Sequence, residues 1–184
     1  SQHHRFCVDK RGHHFNQLYI NSNVAKLMIE VENLHKSFGN VKVLKGVSTN
    51  FEQGKTNLII GQSGSGKTVF LKCLLGLVDY TLGSISFDQE RLDNLTDTKK
   101  RILRSKIGMV FQGSALFDSM TILENVMFPL RMFTNQSESE MQDRADIVLK
   151  RVNLADVHSK MPSEASGGMQ KRVAIARAIV NNPK

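Results

Sequence analysis

Apolar and polar positions begin to alternate at Met28, which predicts a strand over Met28–Asn33, and a second alternating stretch over Val41–Phe51 follows the turn-forming pair Gly39-Asn40. Thr56–Ile60 is a short apolar run that ends at a glycine, the pattern of a strand buried on both faces. Helical spacing then takes over at Val69–Leu77. Further strands are expected at Ser84–Asp88 and Ile107–Phe111, with a basic helical stretch near Thr98–Ser105 between them. The rest reads as helical: Ile122–Met132, a polar loop at Asn135–Ser139, and Met141–Val152 with Met141, Ala145, Val148 and Val152 on one face. A last helix, Met169–Val180, is rich in alanine and β-branched residues. A β-rich start, an α/β middle and a helical insertion make an open α/β pattern with added subdomains.

Composition narrows the class without changing the picture. The 184 residues fit one ordinary domain, and 40% hydrophobic with 23% charged residues is a globular balance. The cysteines, Cys7 and Cys73, lie far apart in no metal-type spacing, which argues for a reducing compartment over a disulfide framework. No apolar stretch reaches the roughly 18 residues of a membrane span, so any membrane association is expected to come through a partner. The net charge of +8 is spread over scattered basic residues, so no dedicated nucleic-acid surface is expected. Residues 1–27 hold four of the six histidines, show neither periodicity nor a continuous apolar leader, and read as an unstructured tail or upstream extension. Met28 is the candidate first residue.

One run carries chemistry outright. Gly61-Gln62-Ser63-Gly64-Ser65-Gly66-Lys67-Thr68 satisfies the phosphate-loop pattern, with a strand expected before it and a helix after it. The glycines let successive backbone N–H groups converge on one phosphate, and the following helix adds its positive end. Lys67 supplies a mobile charge for the β- and γ-phosphates, and Thr68 a hydroxyl for Mg²⁺. This much implies a purine triphosphate; kinases, GTPases and ATPases all share it.

Three further features give the chain from Met28 to Lys184 its resemblance to ABC transporter ATPases. Phe38 before Gly39 sits where that family carries an aromatic that stacks on adenine. Gln112, after the apolar run Ile107–Phe111, matches the family's glutamine loop, which touches the Mg²⁺ or attacking-water region and senses the membrane subunits. Ser166-Gly167-Gly168-Met169-Gln170-Lys171-Arg172 is similar to the family's signature, with Ala165 in place of the usual leucine and Met169 in place of the usual glutamine. There a helix N-cap serine and two glycines would meet the γ-phosphate of ATP held by a second protomer. The resemblance implies an α/β P-loop core with an N-terminal antiparallel β subdomain and a helical subdomain at about 115–165. It also implies ATP and Mg²⁺ as ligands, a head-to-tail homodimer, transmembrane permease subunits as partners, and a peripheral position on the cytoplasmic face of the inner membrane. Phe111–Phe117, then Thr121, Glu124-Asn125-Val126 and Pro129-Leu130, look most like the ATPases of Mla/MCE-type lipid transport systems.

Walker B acids and a switch histidine, which the family carries after the signature helix, have no counterpart here. Asp79, Asp88 and Asp118 do not end apolar strands. The chain is therefore expected to be a C-terminally incomplete cassette that binds ATP without turning it over. The alternatives are another ABC importer, a lipoprotein-release ATPase, or a soluble ABC ATPase without a transport role.

Overall fold

The computed structural model describes residues 29–183 and the backbone of Phe6 and Cys7. The tail expected over 1–27 and the candidate first residue Met28 thus lie almost wholly outside the described residues. The chain divides into two compact units, residues 1–100 and 101–184.

In the first unit the strands β2 (Ile29–Phe38) and β3 (Val41–Phe51) form a hairpin around Gly39 and Asn40. With β5 (Leu82–Phe87) and β6 (Glu90–Arg91) they make an antiparallel sheet in the order β3-β2-β5-β6. β2 runs past the expected end at Asn33 because the chain bulges there. Asn33 takes a φ of 46°, the register shifts between Val31 and Leu34, and both apolar residues are buried although three positions apart. A bulge breaks the alternation that marks a strand in sequence without ending the strand. The short strands β1 (Phe6–Cys7) and β4 (Leu58–Ile59) pair in parallel. Leu58 and Ile60 are exposed, so the expected burial of Thr56–Ile60 on both faces is not observed. A doubly buried strand needs neighbours on both edges, and among the described residues β4 pairs only with β1. Helix α1 (Lys67–Leu74) begins before the expected Val69, directly at the phosphate-loop lysine, and buries Phe70, Cys73 and Leu74.

The helix α2 (Asp97–Ser105) falls where basic helical spacing places it. Beyond it, α3 (Ile122–Phe133), α4 (Glu138–Arg151) and α5 (Gly167–Ile179) enclose one core containing Ile122, Val126, Leu130, Val148, Leu149 and Val173. Each large aliphatic side chain so buried contributes about 1.5–3 kcal/mol. The caps set the boundaries. Thr121 accepts from the Glu124 N–H while the Glu124 carboxylate accepts from the Thr121 N–H at 2.7 Å, and Ser137 and Glu140 repeat the arrangement. The second box starts α4 at Glu138, inside the loop expected over Asn135–Ser139. Ile107–Phe111 is not a strand: among the described residues it has no ladder partner, and Val110 and Phe111 are exposed.

Candidate functional site

The phosphate loop is built between β4 and α1. Gly66, the N-cap of α1, has a φ of 93°, and a Cβ there would lie 3.0 Å from Val43 Cγ1 and 3.2 Å from Leu44 Cδ2. Both the dihedral and the backing strand β3 therefore demand glycine. Gly64 is also left-handed, with a φ of 77° and open space where its Cβ would be. Lys67 folds back across the loop, its Nζ donating to the carbonyls of Gly61 at 2.7 Å and Gln62 at 2.8 Å. Ser65 N–H closes the turn onto the Gln62 carbonyl at 3.2 Å. No side chain caps α1 and no acid stands in its first turn, whereas α3 and α4 have both. A helix end without a side-chain cap, a cation beside it and open space over Gly64 fit a phosphate. Thr68 is exposed at the same helix start, and Gln62, Ser63 and Ser65 are exposed along the loop. Phe38 closes β2 opposite Val41 with its ring exposed and the Lys36 Nζ 4.8 Å from the ring centroid.

The second unit holds the other candidates. Ser166 is the N-cap of α5 and accepts from the Met169 N–H at 3.3 Å. Cβ atoms at Gly167 or Gly168 would meet nothing within 4 Å, so a ligand can approach that backbone closely. The Met169 side chain packs against the helical core, leaving its backbone as the part at the helix end. Gln170 holds the preceding turn by donating to the carbonyls of Pro162 at 2.8 Å and Ala165 at 3.2 Å. Gln112 is exposed in a turn after the unpaired segment Ile107–Phe111. Leu116 packs on the core, while Val110, Phe111 and Phe117 remain exposed beside that turn. Thr68 belongs to the first unit and Gln112 to the second. Among the described residues no three His, Cys, Asp or Glu side chains are grouped to hold a metal ion. The Thr68 hydroxyl is a hard oxygen donor of the kind Mg²⁺ prefers.

Two residues that shape this region were not assigned a role from sequence. Asn125 is fully buried and hydrogen-bonds the loop 117–121. Arg177 grips the carbonyls of Ser114 and Ala115. The available signals are an asparagine on the buried stripe of an apolar helix and an arginine within an alanine-rich one.

Strand, glycine loop and helix define a nucleotide-binding protein of the P-loop class. Residues 44–184 match the family described as ABC transporter, and the chain belongs to that family. It is 38% identical over 157 residues to "Methionine import ATP-binding protein MetN" of Clostridioides difficile, covering 85% of this chain and 49% of that protein. It is 40% identical over 156 residues to "Probable ribonucleotide transport ATP-binding protein mkl" of Mycobacterium leprae, covering 85% and 45% respectively. The chain thus spans about half the length of these curated relatives. Among solved structures, the ATP-binding cassette MJ0796, in a dimeric post-hydrolysis state bound to ADP and Pi, superposes with a TM-score of 0.76 at 36% identity. That match covers 84% of this chain and 70% of the other. The expected ABC-type α/β fold is therefore present, with its antiparallel sheet and helical portion. No helix among the described residues is long and apolar enough to cross a membrane.

Proposed function

We propose that the chain binds Mg·ATP at Gly61–Thr68 and acts as the energy-coupling subunit of an ABC transporter. The observation that carries this reading is Lys67, whose ammonium is held by two loop carbonyls at an α1 end that no side chain caps. An arriving phosphate would replace those carbonyls as its acceptor and take up the helix N–H groups. Phe38 offers its exposed ring to the adenine. Thr68 would supply a hydroxyl to Mg²⁺, which when bound neutralises the charge that develops on the phosphates. Ser166, Gly167, Gly168 and Met169 present a second anion-binding helix end, suited to nucleotide bound by another copy of the chain in a head-to-tail dimer. Val110, Phe111 and Phe117 form the apolar surface for a transmembrane permease subunit, which would keep the protein peripheral on the cytoplasmic face of the membrane.

Nucleotide titration of the chain and its Lys67→Ala variant tests the core of this reading. Losing one charge-assisted contact should weaken binding by about 10- to 100-fold. Equal affinities would remove the site. For cargo we propose lipid, on the strength of Phe111–Phe117, Thr121, Glu124-Asn125-Val126, Pro129-Leu130 and the Met169 variant of the signature. Relatives named as methionine import, arginine transport and ribonucleotide transport proteins support a polar-solute importer as the second reading. Reconstitution with a candidate permease, assayed with labelled phospholipid and with labelled amino acids and nucleotides, separates the two.

A further inference from the structure

The turn that carries Gln112 is fixed on both sides to consecutive residues of one helix. Upstream, the backbone of Gly108 passes over the end of α5, where a Cβ would lie 2.2 Å from the Ala178 carbonyl oxygen, so only glycine fits. Asn181 reinforces this approach by donating to the Ser105 carbonyl at 2.8 Å. Downstream, Arg177 Nη2 donates to the Ser114 carbonyl at 2.7 Å and Nη1 to the Ala115 carbonyl at 2.8 Å. Those two residues have φ values of 62° and 47°, a left-handed pair without glycine that needs outside support. The same guanidinium lies 5.9 Å from the Phe117 ring centroid, and that ring packs on Phe128 at 4.7 Å. Burial pulls the Arg177 pKa below its ordinary value, consistent with a cation held partly out of water by carbonyl dipoles. The planar guanidinium reaches two successive carbonyls through separate nitrogens while facing the ring, a fixed geometry that a point-like ammonium on a flexible stem does not pre-set.

The other end of α5 begins at Ser166–Gly168, and the helix between is a continuous 13 residues packed into the core. We propose that Arg177 is a positioning residue that makes the Gln112 turn ride on α5, so that nucleotide bound at Ser166–Gly168 and the Gln112 turn shift as one body. This rests on the reading of Ser166–Gly168 as a nucleotide contact. The fork acts through the turn and touches no ligand itself.

Hydrogen exchange on the whole chain, with and without saturating Mg²⁺ and the non-hydrolysable analogue adenylyl imidodiphosphate, tests it in wild type, Arg177→Lys and Arg177→Met. Methionine keeps the apolar stem over Phe117 without the fork. Amides 114–117 should exchange about tenfold faster in both variants and lose a nucleotide-dependent protection that wild type shows. Nucleotide affinity should stay within twofold, and the α5 amides of Val173 and Ala174 should keep their wild-type rates. Unchanged exchange at 114–117, or equal loosening of Val173 and Ala174, would overturn the proposal, the latter by making Arg177 a plain helix staple. A wild-type turn that ignores bound nucleotide would overturn the coupling. Wild type that binds no nucleotide would instead sink the functional reading, and the nucleotide-free rates would still decide whether Arg177 fixes the turn.

Discussion

Asn125 pairs with Phe117 as one peptide group pairs with another: its Oδ1 accepts from the Phe117 N–H at 2.8 Å and its Nδ2 donates to the Phe117 carbonyl at 3.0 Å. The same Nδ2 reaches the carbonyls of Met120 and Thr121, each at 3.0 Å. One fully buried side chain therefore serves the Phe117 N–H and the Met120 carbonyl, and adds a second donor at the carbonyls of Phe117 and Thr121, which also accept from the N–H groups of Met120 and Asn125.

Replacing Asn125 by Leu, which keeps the volume, should take that partner from the Phe117 N–H and the Met120 carbonyl and cost about 2–4 kcal/mol. Urea unfolding should show a lower midpoint with little change in slope. A loss below about 0.5 kcal/mol would mean that water serves the loop equally well.

At Gly66 the prediction combines a dihedral with a close approach. Gly66→Ala should cost about 1–2 kcal/mol in left-handed strain alone, and its Cβ presses on Val43 and Leu44 from the far side of the loop. Nucleotide affinity should fall together with stability. Gly113→Ala, where a Cβ would meet nothing within 4 Å, is the comparison and should leave stability nearly unchanged.

The capping boxes make stability depend on pH. The carboxyls of Glu124 and Glu140 are held below the ordinary glutamate value of 4.5, first by the N–H of Thr121 and Ser137 respectively and then by their hydroxyls. Groups with depressed folded pKa values stabilise fully above the unfolded value, and that stabilisation is lost as pH falls through the lower folded values. The urea midpoint should therefore drop below pH 4.5. A Glu124→Gln, Glu140→Gln double variant should show a shallower drop in that window, and parallel curves would refute the assignment.

The 184-residue chain is expected to bind ATP without appreciable turnover. Asp88 occupies the β5–β6 turn with a φ of 49° and Asp118 an exposed turn, so neither ends a buried strand. Steady-state phosphate release that vanishes in the Lys67→Ala variant would prove otherwise.

Legibility in the sequence followed how local each cause is. The phosphate loop, α2 and the hairpin turn at Gly39-Asn40 were readable because glycine placement and short-range spacing determine them. β2 was cut short because the bulge at Asn33 disturbs the alternation by which strands are recognised. The apolar run Ile107–Phe111 misled for a different reason: its composition suits a strand, but pairing is a property of neighbours, and Gly108 instead lies against Ala178. Arg177 and Asn125 could be seen as unusual where they stand. Their partners, 62 and 63 residues away for the arginine, could not be named without the fold.

The uncapped start of α1 has a consequence for the order of folding. Where Thr121 and Ser137 finish their own helices, α1 has no such residue, and its eight residues are short for a helix to persist unaided. A bound phosphate would be the missing terminal residue, supplied from solution. A nucleotide bound there would act as a component of the native chain as well as its cargo of energy, and α1 should be among the last segments to become rigid and the first to loosen when nucleotide is scarce.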